Sequence, residues 1–226
     1  MKHVYRFKAL AFAALTALAA MGIAAGSAQA SGNWRVEGAN IASERTVESE
    51  EDTMFELLIP SFNFEVLCNE FKVEEGKILA AGGSLARLAF RKCESFQASP
   101  LVRLGACDPV NGEFSFLVKD SLLLHNNRTY DLFSPDVQTG EEKPLGTLTF
   151  GEECAIGPIP IKGSFVMEDC NEPLENEAVR HLLQQAPAAL FPSDVMRFGA
   201  REARLDGSMW LKLGGAEAGK KFSGLA

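Results

Sequence analysis

A two-residue period of apolar side chains runs through most of the chain after residue 60, and this period constrains the fold more than any other feature. It is clearest in FNFEVLC (62–68), ARLAFRK (86–92), EFSFLVK (113–119), LGTLTF (145–150), IPIKGSFVME (159–168) and GSMWLKL (207–213). Such alternation predicts antiparallel strands with one buried and one polar face. Gly, Asn, Asp and Pro separate these segments, as turns require. The expected fold is mainly β, an antiparallel sandwich or partly closed barrel.

One segment departs from this period. LENEAVRHLLQQA (174–186) carries apolar residues at helical spacing and lies between Pro173 and Pro187. This pattern predicts one short amphipathic helix near residues 174–186, packed across an open end or face of the sheet structure. On such a helix His181, beside two leucines, is interpreted as a packed or partly exposed histidine rather than a general base.

The N-terminus has the features of a secretory signal peptide. Lys2, Arg6 and Lys8 precede an uncharged, Ala-rich stretch, and Ala28-Gln29-Ala30 forms a small-residue cleavage site. We expect residues 1–30 to be removed after Ala30, which predicts a secreted or periplasmic protein with no transmembrane segment in the mature chain. Residues 31–226 are then expected to form a single secreted β-rich domain with a flexible acidic loop around 42–53.

All five cysteines lie beyond the predicted cleavage site, in a compartment where disulfides persist. Proximity favours a bridge between Cys93 and Cys107. The second pair stays open, because Cys154 with Cys170 is local whereas Cys68 with Cys154 would connect distant strands. The remaining thiol is expected to be buried as a small hydrophobic group. No C-x-x-C spacing or neighbouring histidine is present, so no metal site is predicted.

The charge and the absent motifs narrow the function. The formal net charge is −8, and the only charged side chains in residues 1–30 are basic, so the mature chain is still more acidic. Because nucleic acid is bound by clustered basic residues, it is not an expected partner. The sequence has no nucleophile elbow, zinc-protease, phosphate-loop or dinucleotide motif, so no catalytic residue and no cofactor is predicted. We therefore expect a non-catalytic structural or binding protein of the bacterial cell envelope or exterior, with partners there. The alternative is a secreted carbohydrate-active hydrolase that uses two carboxylates.

The order of short motifs resembles a group of exported bacterial proteins of unknown function. The motifs are EVLCNEF, LARLAFRKC, GACDP, GEFSF, PLGTLTFGEECAI, IKGSF and FGAREARLDGSMWLKLGGAEAG. Their shared elements are a strand ending in cysteine, an L-x-F-x-x-C strand, a C-x-P, a Cys-Ala-Ile and a closing A-x-L-x-G strand. The resemblance implies a secreted, disulfide-stapled β domain, and it implies no activity, ligand or catalytic residue.

Overall fold

The fold is mainly β, as the alternation predicted, and it contains a closed antiparallel barrel of eight strands together with additional strands. The computed structural model describes residues 32–125, 128–136, 143–169, 175–183 and 196–225. Ser31–Ala226 form one compact unit. The predicted signal peptide and its cleavage site lie outside the described residues. No helix in the described part of the chain has the length and apolar character needed to cross a membrane.

The strands are numbered in chain order. They are β1 Asn33–Val36, β2 Ala39–Asn40, β3 Arg45–Glu51, β4 Phe55–Ile59, β5 Phe64–Ile78, β6 Gly83–Gln97, β7 Val102–Arg103, β8 Phe114–His125, β9 Arg128–Pro135, β10 Gly146–Leu148, β11 Ile159–Lys162, β12 Phe165–Asp169, β13 Ala178–Leu183, β14 Arg197–Phe198, β15 Arg201–Glu202, β16 Arg204–Leu213 and β17 Phe222–Leu225. Short 3-10 turns lie at Pro60–Phe62, Ala80–Gly82, Gly105–Cys107, Val110–Gly112 and Gly215–Glu217.

The barrel is an up-and-down ring in which neighbours in sequence are neighbours in space. Its order is β5, β6, β8, β9, β12, β13 and β16, and β3 and β4 together fill the eighth position. β4 pairs with the first part of both β5 and β16, whereas β3 pairs with the last part of both strands. Gly207 lies where β16 changes partner. Its φ is +138°, and a Cβ there would lie 2.8 Å from the Phe55 ring, so the bend requires glycine.

Phenylalanine rings fill much of the barrel interior. A continuous series of ring contacts, with centroids 4.3 to 6.3 Å apart, joins Phe55, Phe71, Phe90, Phe114, Phe116, Phe165 and Phe133. Eight strands enclose a space that side chains can fill. The inward face of the barrel therefore acts as a packed hydrophobic core.

Two small sheets complete the structure. The sheet of β2, β1 and β17 covers one end of the interior, where Trp34 and Phe222 are buried with Leu122 of β8. The Trp34 indole N–H donates to the carbonyl of Gly83 over 3.0 Å, which satisfies its polar group inside this cap. The sheet of β10, β11, β14 and β15 packs Leu148, Ile161 and Phe198 against the phenylalanine core.

The predicted helix near residues 174–186 is wrong within the described residues, because Ala178–Leu183 form the barrel strand β13. Val179, His181 and Leu183 are buried while Ala178, Arg180 and Leu182 are only partly buried, which is a period of two. The helical interpretation was based on the spacing of the apolar residues and placed His181 on the helix as a packed or partly exposed histidine. His181 faces the barrel interior with Val179 and Leu183, because Asp131 and Asp169, which contact its ring, are also inside the barrel.

The predicted flexible loop around 42–53 is also wrong for most of its length, because Arg45–Glu51 form β3. Val47 is buried in the core under the cap. The Ser49 hydroxyl accepts the N–H of Val73 over 2.7 Å, and a Glu51 carboxylate oxygen accepts the N–H of Phe71 over 3.1 Å. These side chains supply acceptors to β5 where β3 and β5 no longer pair directly, so the acidic run is part of the wall.

Disulfides are present, but the predicted Cys93–Cys107 bridge is wrong. Cys93 is bonded to Cys68, and Cys107 is bonded to Cys154. Cys68 and Cys93 are directly opposed in the β5–β6 ladder, with Cα atoms 4.0 Å apart. The position of Cys93 opposite Cys68 in the sheet therefore determines its disulfide partner, although Cys107 is closer in sequence. The fifth cysteine, Cys170, lies outside the described residues.

Peptide mapping tests this connectivity. Digestion of the non-reduced protein is expected to release linked peptides carrying Cys68 with Cys93 and Cys107 with Cys154. The variant Cys68→Ser/Cys93→Ser is expected to lower the free energy of unfolding by about 2 to 4 kcal/mol, because the unfolded chain regains loop entropy. Urea denaturation measures this loss, and a peptide that links Cys93 to Cys107 would contradict the structure.

Candidate functional site

Four ionisable side chains that face inward form a polar cluster in the barrel, next to the core under the cap. Asp131 on β9, Asp169 at the end of β12 and His181 on β13 belong to three successive strands, and Asp120 on β8 lies beside them. Their relative exposures are 0%, 3%, 1% and 6%, so the cluster is sealed from bulk water. We call Asp120, Asp131, Asp169 and His181 the interior cluster.

The histidine ring lies between two carboxylates. Its Nε2 is 2.9 Å from Oδ2 of Asp131 and 2.8 Å from Oδ1 of Asp169. Asp169 and His181 are directly opposed in the β12–β13 ladder, so strand register sets their contact. The Nδ1 atom lies 3.2 Å from the carbonyl oxygen of Val179. This contact assigns the Nδ1 proton to a bond with Val179 and directs Nε2 toward the acids.

Several oxygens of the interior cluster lack a hydrogen bond. Both carboxylate oxygens of Asp131 and of Asp169, and Oδ1 of Asp120, have no hydrogen-bond partner among the described residues. The distances from Nε2 are short, yet neither carboxylate has hydrogen-bond geometry with the ring, so we describe these contacts as ion-pair contacts. Buried carboxylates without hydrogen bonds are costly, so the cluster needs compensating protons or cations.

Burial and mutual charge control protonation in the interior cluster. Burial, together with the charge of Asp169, raises the pKa of Asp131 to about 7, although His181 opposes this effect. Burial and the charge of Asp131 raise the pKa of Asp120 well above its ordinary value, against a hydrogen bond from Ser84. Burial alone would lower the pKa of His181, but Asp169 and Asp131 outweigh it and raise that pKa well above its usual range.

None of the three aspartates of the interior cluster was predicted from the sequence as a site residue. Asp131 occupies an inward position of β9 between Thr129 and Phe133, both of which are buried. Alternation identifies a strand by its apolar residues, so it does not single out a charged residue on the inward face. An aspartate at an apolar-phase position of a strand was the signal that could have found the cluster.

A second feature is an open groove on the outer wall of the barrel, with a volume of about 670 Å³. It lies between the outward faces of β6 and β8, the turn at Val110–Gly112 and the strand β10. Polar residues that line it are Glu74, Arg87, Arg91, Asn111, Glu113, Ser115, Thr147 and Thr149. Arg91 contacts the carboxylates of both Glu74 and Glu113. The volume lies within the range of small-ligand sites.

A third feature bears on the hydrolase alternative. On the outer wall, Glu56 and Glu65 are close enough to share a hydrogen bond, and Asp206 adds a further negative charge. Asp131 and Asp169 in the interior are also close enough to share one. Glycoside hydrolysis separates its two carboxyl groups by about 5 to 9 Å to admit the reacting groups. Neither pair has that separation, and the interior pair is sealed as well.

Neither the protein-family models, nor the curated proteins, nor the solved structures compared with this chain gave a match. The resemblance to exported proteins with the same cysteine order therefore stays a prediction. The structure itself defines the class as a closed eight-stranded antiparallel barrel that carries two disulfides.

The acid group around Glu56 predicts a pH-dependent substitution effect. Burial, then repulsion from Glu65 and Asp206, raises the pKa of Glu56 above 4.5. The folded protein therefore holds a proton that the unfolded chain releases, and stability falls as pH rises through this window. Glu56→Gln removes that loss, and it is expected to raise the free energy of unfolding at pH 7.5 by about 0.5 to 1 kcal/mol relative to its effect at pH 4.5.

Urea denaturation of both proteins at the two pH values measures the difference. Glu152→Gln is the matched control, because Glu152 is exposed in the segment after β10. Equal effects of Glu56→Gln at the two pH values would show that Glu56 does not carry a raised pKa.

Proposed function

We propose that this chain is an exported, non-catalytic binding protein of the bacterial cell envelope or exterior, and that it binds its ligand on the outer wall of the barrel. The observation that carries this proposal is the contrast between a filled, capped interior and the open polar groove beside β6, β8 and β10. A ligand from solution can reach the groove without any change in the barrel.

The chemistry of the groove supports a polar ligand. Arg87 and Arg91 present guanidinium groups, and Asn111, Thr147 and Thr149 add amide and hydroxyl groups. Arg91 is held between Glu74 and Glu113, so its position is fixed before a ligand arrives. A fixed guanidinium loses little conformational entropy on binding. Because Glu74 and Glu113 balance the charges of Arg87 and Arg91, the groove favours a ligand rich in hydroxyl and other uncharged polar groups.

Export is supported by the two disulfides, which persist in oxidising compartments. The N-terminal pattern of basic residues, an Ala-rich stretch and Ala28-Gln29-Ala30 supports the same location. Hydrolysis is the less favoured alternative. The two carboxyl pairs Glu56 with Glu65 and Asp131 with Asp169 are too close together for it, and Trp210 is the only tryptophan in the described residues outside the core.

Filling the groove tests the proposal. Immobilised wild-type protein and the variant Thr147→Trp are incubated with envelope and medium fractions of the source cells, and retained glycans and proteins are identified by mass spectrometry. Thr147 is exposed on β10 and lines the groove, so the indole is expected to reduce retention of the specific ligand at least tenfold. Thr46→Trp is the matched control, because Thr46 is also exposed on a strand but lies outside the groove.

Retention that is equal for wild type, Thr147→Trp and Thr46→Trp would place binding elsewhere. Release of reducing sugars from a panel of polysaccharides by the purified wild-type protein would overturn the non-catalytic proposal. Circular dichroism of each variant confirms that the strands are intact.

A further inference from the structure

The interior cluster has the composition of a metal site. One donor atom each from Asp131, Asp169 and His181 lies within 4.8 Å of the other two, and all three residues are buried. The residues come from β9, β12 and β13, which are consecutive in the barrel. Donors fixed on neighbouring strands of a closed sheet are held more rigidly than donors on loops.

The charges of these residues favour a divalent cation. With a neutral imidazole, Asp131 and Asp169 carry two negative charges that a single divalent ion balances. Neither carboxylate group accepts a hydrogen bond from the part of the chain that the structure describes, so each has oxygen lone pairs to give to an ion. The Oδ1 atom of Asp131 is fully buried and has no partner among the described residues, so it is also free to bind a cation.

The imidazole is oriented as metal-bound histidines usually are. A metal-binding histidine commonly donates its other ring N–H to a carbonyl, which fixes the tautomer. Here Nδ1 faces the carbonyl of Val179 at 3.2 Å, and Nε2 faces the two carboxylates. When a cation displaces the proton on Nε2, the lone pair of Nε2 points to the place where the carboxylate oxygens converge.

A small cavity adjoins the cluster. Its volume is about 20 Å³, and Asp131, His181 and Asp120 contribute to its lining with Ser84. A volume of about 10 to 15 Å³ accommodates one water molecule when polar partners are present. The cavity thus provides room for a water ligand beside the three protein donors.

We propose that Asp131, Asp169 and His181 bind one divalent transition-metal ion inside the barrel, with a water molecule in the adjoining cavity as the fourth ligand. The ion links three neighbouring strands, which is a structural role beyond the groove binding proposed above. One nitrogen and two carboxylate ligands suit Zn²⁺ or Mn²⁺, whereas Ca²⁺ prefers six or more oxygens. Bonds of about 2.0 to 2.2 Å to a tetrahedral ion require the carboxylates to move about 0.5 Å away from Nε2.

Metal content is the first test. The purified protein is refolded from urea with Zn²⁺ or with Mn²⁺, passed through a desalting column, and analysed for bound metal by mass spectrometry. About one ion per chain is expected for one of the two metals, because the site is sealed once the barrel closes. A content below about 0.1 ion per chain with both metals would overturn the proposal.

Substitutions locate the ion. Asp169→Asn and His181→Gln are expected to reduce the metal content at least tenfold. Glu65→Gln is the matched control, because Glu65 is a buried acid that lies outside the interior cluster and is not one of the three donors. It is expected to retain about one ion per chain. Retention of the ion by both donor variants would place it elsewhere and overturn the assignment.

A direct readout covers the case in which the donor variants do not fold. The sequence has three histidines, at positions 3, 125 and 181, so the variant His3→Gln/His125→Gln keeps His181 as the sole histidine. Nitrogen NMR of this protein is expected to show a Zn²⁺-dependent shift of Nε2 while Nδ1 keeps its proton. A Nε2 resonance that is neither shifted by Zn²⁺ nor broadened by paramagnetic Mn²⁺ would overturn the proposal.

Discussion

Closure of the barrel is the constraint on which the rest of the structure depends. Because β3 and β4 together fill the position between β5 and β16, each of the eight positions has a neighbour on both sides. Closure removes the free edges of an open sheet, and it also fixes the interior volume. Each inward side chain must therefore fit among its neighbours and satisfy its polar groups inside the barrel.

The interior meets this requirement in two ways. Toward β10 and β11 it is filled by phenylalanine rings that need no polar partner. Beneath the cap it holds the interior cluster, whose charges must neutralise one another or bind a cation. The cap also covers the interior cluster, because Gly224 of β17 lies close to the carboxylate of Asp169. A Cβ at Gly224 would lie 3.2 Å from Oδ2 of Asp169 and 2.8 Å from Leu122, so the C-terminal strand closes tightly over the acids.

Local alternation predicted the wall strands β5, β6, β8, β12 and β16, but it missed β3 and β13. Phe64, Val66, Phe116, Leu88 and Met209 are buried where the two-residue period placed them. Phe62 has the same phase in sequence, yet it is 47% exposed, because Pro60–Phe62 form a 3-10 turn before β5 begins. The disulfides could not be predicted, since the Cys68–Cys93 pair follows from the register of two fifteen-residue strands. Register is a tertiary property that no local spacing encodes.

The residues of the candidate metal site are far apart in the sequence, and local spacing does not group them. Asp120, Asp131, Asp169 and His181 each occupy an inward position of a strand. Taken one at a time, each is a single polar residue within an apolar pattern, and the spacing of the leucines around His181 predicted a helix instead of a strand. Only the ring order, with β8, β9, β12 and β13 adjacent, brings the four residues together. A charged residue on an inward face departs from the apolar pattern, and it is retained only where other groups compensate for the burial of its charge. Such departures from local patterns are expected at functional sites.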